Sequence, residues 1–157
     1  VKVEVRNVKE MRSLSEETLC FSCTVVIDGV VAGTASNRGS GGANEYHPYA
    51  LQERLTAYAA TLPPIDIDGD KLPQDADTAL SEVVNDFLAV RDYRKAVKNR
   101  ILVLNDKGQI RETRPVPKGE DVHAIAQRFA TKPGIVKVLN LMPETEAVAL
   151  LKAQAHA

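Results

Sequence analysis

The sequence predicts an α+β fold: an N-terminal antiparallel three-stranded meander, two helices, then a hairpin-helix-strand-helix segment, with the helices covering one side of the sheet. Three observations predict it. Apolar and polar residues alternate with period two near the N-terminus. Apolar residues recur at three- and four-residue spacing in several later segments. Strands and helices do not alternate regularly, which disfavours a doubly wound parallel sheet.

Val1, Val3 and Val5 alternate with Lys2, Glu4 and Arg6, the strand pattern. Residues 13–17 are polar and read as a turn. Residues 19–27 are rich in Val, Thr, Cys and Phe, a β composition. Asp28-Gly29 is a two-residue hairpin signal. Residues 30–36 form the return strand, where Gly33 weakens the strand or marks a close backbone approach. A glycine-rich loop spans 37–44. Pro48 suits the first position of a helix whose face is Leu51, Leu55, Tyr58, Ala59 and Leu62. Pro63-Pro64 stops it, and 65–74 reads as an acidic loop. Asp75 or Asp77 can cap the next helix, which carries Leu80, Val83, Val84, Phe87 and Leu88 as its apolar stripe and runs to about Lys98.

Residues 101–104 and 109–114 flank the turn 105–108 and predict a second hairpin. Val122, Ile125, Ala126 and Phe129 predict a short helix, ended by Pro133-Gly134. Residues 135–141 read as a strand. Pro143, Glu144 and Glu146 open a last helix, with acids at the positive end of its dipole. Val148 and Leu151 anchor it, and 155–157 fray.

The chain has 157 residues. That suits a single domain over 1–157, with the acidic stretch 63–77 as the alternative division. Hydrophobic residues make up 44%, with no Trp and few Phe or Tyr, so the core is built from Val, Leu, Ile and Ala. No apolar run approaches the ~18 residues of a membrane span. The charged N-terminus does not read as a secretory signal. Two cysteines are too few for a disulfide scaffold. A cytoplasmic location, without membrane contact, is the default expectation.

The net charge of −1 argues against polyanion binding by bulk charge, so such a partner must meet a local patch. One patch stands out. Residues 91–100 hold five basic residues and one acid, and Arg91, Arg94, Lys95 and Lys98 form a band at helical spacing. Such a band neutralises phosphates or an acidic protein face, or it simply favours the negative end of its own helix. Residues 64–90, in contrast, hold seven acids and one Lys.

The glycine loop is the second candidate. Gly39, Gly41 and Gly42 free the backbone to aim N–H groups into one concavity, and Arg38 adds positive charge. With Asn44 and His47, they make a candidate site for phosphate or carboxylate. The segment lacks the Gly-Lys-Ser/Thr ending of a P-loop and the dinucleotide fingerprint. A connector between sheet and helix explains the glycines as well, and that reading is favoured. His47 with Glu45 and Tyr46 is the one cluster suited to acid–base work, although a helix-cap or turn histidine is the favoured reading.

Other motifs carry less. Cys20 and Cys23 have CxxC spacing, but a zinc site needs a second ligand pair, and a redox pair belongs at a helix start rather than in a strand. Asp66, Asp68 and Asp70 sit at alternate positions, yet the glycine of a calcium loop comes at the fourth place rather than the sixth and no glutamate stands at the twelfth, so a solvated acidic loop is the favoured reading. His47, His123 and His156 show no ligand spacing, and no catalytic signature is present. No cofactor or metal is expected.

The strand-turn-strand of 21–36 with Ile27-Asp28-Gly29, the loop Ser36-Asn37-x-Gly39-x-Gly41-Gly42-x-Asn44-x-Tyr46-His47, and Leu62-Pro63-Pro64 resemble a family of small uncharacterised bacterial and phage proteins. The likeness is weaker over 100–113 and ends near 120. It implies an origin in a phage, plasmid or host genome, and it brings no assigned activity.

The leading expectation is a non-enzymatic binding or accessory protein that contacts a protein or nucleic acid through the basic helix face. The alternative is a small-ligand protein or small enzyme using loop 37–47. A third is a homo-oligomer joined through an exposed sheet edge.

Overall fold

Period two at the N-terminus produces the first strand of a sheet. In the computed structural model, which describes residues 1–155, β1 (Val3–Glu10), β2 (Phe21–Ile27), β3 (Val30–Asn37) and β4 (Glu45–His47) pair in that order, all antiparallel. The expected meander of three strands is therefore a sheet of four. The added strand is three residues long, polar, and hidden after a glycine loop, so it has no periodic signature. Asp28 (φ 52°) and Gly29 (φ 81°) form the hairpin turn with both residues left-handed, as a type I′ turn requires. Asp28 is also tied to Lys2, just ahead of β1, accepting from Lys2 N at 2.8 Å and donating its own N–H to the Lys2 carbonyl at 2.8 Å. Alternation buries Val3, Val5, Phe21, Cys23, Val25 and Ala35. Gly33 marks a close approach: a Cβ there would strike the His47 carbonyl on β4.

Because β4 keeps 45–47 extended, Pro48 lies outside the helix rather than at its first position. Helix α1 (Ala50–Ala59) starts two residues later and buries Leu51, Leu55 and Ala59. The expected acidic loop is a small hairpin, β5 (Ile65–Ile67) with β6 (Asp70–Leu72), turning on Asp68 (φ 53°) and Gly69 (φ 91°). Helix α2 (Ala76–Ala96) follows. Asp75 caps it, accepting from Thr78 N at 2.8 Å and Thr78 Oγ1 at 2.7 Å. These two bonds hold the Asp75 carboxyl below its ordinary range. The helix stops two residues short of Lys98, and 97–99 form a turn.

Contacts divide the chain into two units, Val1–Phe87 and Leu88–Ala157, with the boundary inside α2. In the second unit, β7 (Leu102–Asn105) lies between β8 (Ile110–Glu112) and β9 (Ile135–Val138), antiparallel to both. Adjacent residues of β7 face opposite ways. Leu102 packs with Tyr93 from the C-terminal part of α2, with Leu139 after β9, and with Ala147 and Val148 of α4 (Glu144–Ala155). Val103 packs with Ile101, Val138 and Ala126 of α3 (Val122–Phe129). Helices thus cover both faces of this sheet, not one side. The reason is that β7 is apolar at consecutive positions and so needs cover on each face. Strand β9 ends at Val138, and 139–141 form a short 3₁₀ turn that buries Leu139 completely. Burial of a side chain of that size is worth about 2 kcal/mol. Asp121 caps α3 through the N–H groups of His123 (2.9 Å) and Ala124 (3.2 Å). The end of the frayed tail expected at 155–157, with His156, lies outside the described residues. Among the described residues no helix is long and apolar enough to cross a membrane.

Candidate functional site

The glycine loop folds around one side chain. Asn37 ends β3 and is 7% exposed. Its Oδ1 accepts from Thr18 Oγ1 and Gly39 N, both at 2.8 Å, and its Nδ2 donates to the Gly42 carbonyl and Asn44 Oδ1, both at 2.9 Å. Two donors and two acceptor lone pairs are all used. Gly39 is buried, and its carbonyl accepts the N–H groups of Glu16, Glu17 and Thr18. Its φ of +84° excludes most side chains, and a Cβ would strike the Leu14 carbonyl. Gly42, by comparison, faces open space.

Beyond the loop the network reaches α2. Asn44 N donates to Asp77 Oδ2 at 3.0 Å, and the Tyr46 hydroxyl donates to Asp77 Oδ1 at 2.5 Å. Asn44 Nδ2 donates to the Tyr46 oxygen at 3.2 Å. Burial, then the bond to Asp77, pushes the Tyr46 hydroxyl far above its ordinary pKa, so it remains a donor.

These groups border a cleft of about 300 Å³. Helix α2 contributes Asp77, Ser81 and Asn85, one polar residue per turn, and the loop side contributes Thr18, Asn37 and Asn44. Leu19, Phe21 and Val84 supply its apolar surface. Among the described residues that line it, none is Lys, Arg or His.

The loop candidates are divided between two places. Gly42 and Asn44 line the cleft. Gly39 N and Gly41 N are committed to Asn37 Oδ1 and Thr18 Oγ1. Arg38 is exposed and pairs with Glu45 at 3.1 Å. His47 is exposed opposite Thr34, and strand alternation puts it on the other face of β4 from Tyr46. Asp77 was legible only as a helix cap, and Asn37, Ser81 and Asn85 carried no expectation as site residues. The spacing 77, 81, 85 is the signal that would have found the helical part.

In the basic band, Arg91 pairs with Asp92 at 3.0 Å. Arg94 makes a two-bond fork with Glu144, both bonds 2.8 Å, which raises the Arg94 pKa and lowers that of Glu144. Lys95 is exposed on the last turn of α2, and Lys98 is exposed in the turn beyond it. Charge also separates by unit. Residues 1–87 hold 7 Lys and Arg against 14 Asp and Glu, a net of −7; residues 88–157 hold 13 against 7, a net of +6.

Cys20 is half-buried and precedes β2, so the pair does not sit within one strand. Cys23 is buried, and burial pushes its thiol up to about 11, leaving it protonated and unreactive at neutral pH. Asp66, Asp68 and Asp70 surround the exposed β5–β6 turn. Among the described residues no three His, Cys, Asp or Glu side chains gather closely enough to hold a metal ion. No protein-family model, curated protein or solved structure matches the chain. The expected resemblance of segment 21–64 to small bacterial and phage proteins has no counterpart in these comparisons.

Proposed function

We propose that the protein is a non-enzymatic binding or accessory protein whose C-terminal unit contacts an anionic partner, a nucleic acid or an acidic protein face. The net charge of +6 over residues 88–157 carries this reading. A local excess of that size attracts phosphates or carboxylates although the whole chain is near neutral. Lys95 and Lys98 are the members of the band best suited to meet a partner, because both are exposed and, among the described residues, neither is bound in an ion pair. Arg94 plays a second part, since its fork with Glu144 joins α2 to α4.

The test is a salt titration of binding to short duplex and single-stranded DNA and RNA, and to an acidic polypeptide, with the double variant Lys95→Glu, Lys98→Glu beside it. For a nucleic acid, affinity falls steeply with salt, and removing the two lysines lowers the logarithmic slope by about 2. For an acidic protein, the reversal removes that complex alone. Reversal at exposed positions should change folding stability by less than about 0.5 kcal/mol. Equal binding by both proteins to every probe would refute the assignment to this face.

A phosphate or carboxylate ligand in loop 37–47 has less support. The N–H groups of Gly39, Gly41 and Asn44 already donate within the protein, Arg38 is paired with Glu45, and the Asp77 carboxylate borders the same loop.

A further inference from the structure

We propose that the cleft between the glycine loop and α2 binds a small organic cation, an alkylammonium or alkylguanidinium group on a short aliphatic body. The argument starts from the charge in the cleft. Asp77 accepts one hydrogen bond at each oxygen, from Tyr46 and from Asn44, and both donors are neutral. Each carboxylate oxygen can take a second, so one acceptor site per oxygen is left. Among the described residues no cation lines the cleft to balance this charge. A carboxylate bordering a partly apolar cleft, with no cationic side chain among the residues that line it, favours a positive ligand and repels phosphate.

The rest of the lining fits the same ligand. Ser81 and Asn85 stand one and two turns beyond Asp77, and among the described residues no hydrogen bond engages their side chains. They can accept the remaining N–H groups of an ammonium or guanidinium. Leu19, Phe21 and Val84 offer the apolar contact that a chain of a few methylenes needs. A volume of about 300 Å³ is at the small end of ligand pockets, which suits a group of this size rather than a nucleotide. The unit that holds the cleft has a net charge of −7, which concentrates cations near it. Two sources share this chemistry: a free amine, or a Lys or Arg side chain on a partner polypeptide.

The experiment is an amide NMR titration of the full chain with 1,4-diaminobutane, butylguanidinium, a lysine-bearing peptide capped at both ends, and sodium phosphate as the anion. Saturable shifts at Asn44, Asp77, Ser81 and Asn85 with the cations, and none there with phosphate, are expected. A free amine as the source gives tighter binding by the diamine, and a partner side chain gives tighter binding by the peptide. Asp77→Asn disturbs the loop network, so the deciding variant is Asn85→Lys, on an exposed helical position. It should weaken the cations at least about tenfold while amides of β1, none of whose residues lines the cleft, keep their shifts. Phosphate binding in the cleft, cation binding unaltered by Asn85→Lys, or no saturable shift with any cation would overturn the proposal.

Discussion

The two units treat polar side chains in opposite ways. In residues 1–87 a buried asparagine and a half-buried tyrosine join the glycine loop in a hydrogen-bonded network that reaches Asp77 on α2. In residues 88–157 the core clusters are apolar apart from the Tyr93 hydroxyl, which donates to the Leu139 carbonyl, and the charge is largely at the surface. Each unit nevertheless uses one asparagine to tie segments together. Asn37 holds the glycine loop through four bonds. Asn140 holds the start of β7, accepting from Leu102 N and donating to the Arg100 carbonyl, both at 2.8 Å. The difference is what surrounds them. Removing Asn37, itself buried, strands the buried Gly39 N–H, whereas Asn140 is only half-buried.

The sharpest test of this contrast is the pair Asn37→Ala and Asn140→Ala. We expect the first to cost about 3 kcal/mol and the second about 1 kcal/mol, read from urea unfolding followed by circular dichroism. Equal costs would break the contrast.

Next in size is Tyr46→Phe, at about 1–2 kcal/mol, since it removes one bond to a charged acceptor. It carries a pH signature as well. The folded-state pKa of Tyr46 is raised above the ordinary value of about 10. Below that value both states hold the proton and its contribution is complete. Above it the unfolded chain ionises first, and the contribution is lost as pH climbs toward the folded value. The stability gap between wild type and Tyr46→Phe should therefore shrink above about pH 10. A gap that stays constant through pH 11 would show that the hydroxyl is not held as described.

The smallest effect concerns the helix that crosses the boundary. Asp75→Ala should cost about 1 kcal/mol near neutral pH. Its carboxyl pKa is lowered in the fold, so the contribution is present above the ordinary carboxylate range and disappears as pH falls through the folded value. Stability curves of the two proteins should converge in acid.

Regular elements were legible where a pattern had enough residues to repeat. The apolar stripe Leu80, Val84 and Leu88 and the face Val122, Ile125, Ala126 and Phe129 both mark real helices. Asp28-Gly29 was read as a turn, while Asp68-Gly69, with the same left-handed geometry, was not. The second turn joins strands of three residues, too short for alternation, and its carboxylates read as a solvated loop. Strand β4 escaped for the same reason. The loop itself stood out by its glycines, but glycine content says nothing about where N–H groups point. Tyr46 and Asp77 are 31 residues apart, and no local spacing relates them. Asp77, Ser81 and Asn85 do share a spacing, masked by the stronger apolar stripe on the same helix.

A loop with three glycines in four residues suggests a flexible tether, and its hydrogen bonds make it the reverse. Glycine loses more freedom than other residues when it is fixed, roughly 1–2 kcal/mol of backbone entropy for each ordered position. Here that loss falls at folding, where Asn37, Thr18 and Asp77 offset it, and not at the moment a guest arrives. Whatever enters the cleft meets a wall already set in place and has little ordering left to oppose it. Amide hydrogens at Gly39 and Asn44 should exchange with solvent as slowly as those of the neighbouring strands, and their rates should hardly change on binding.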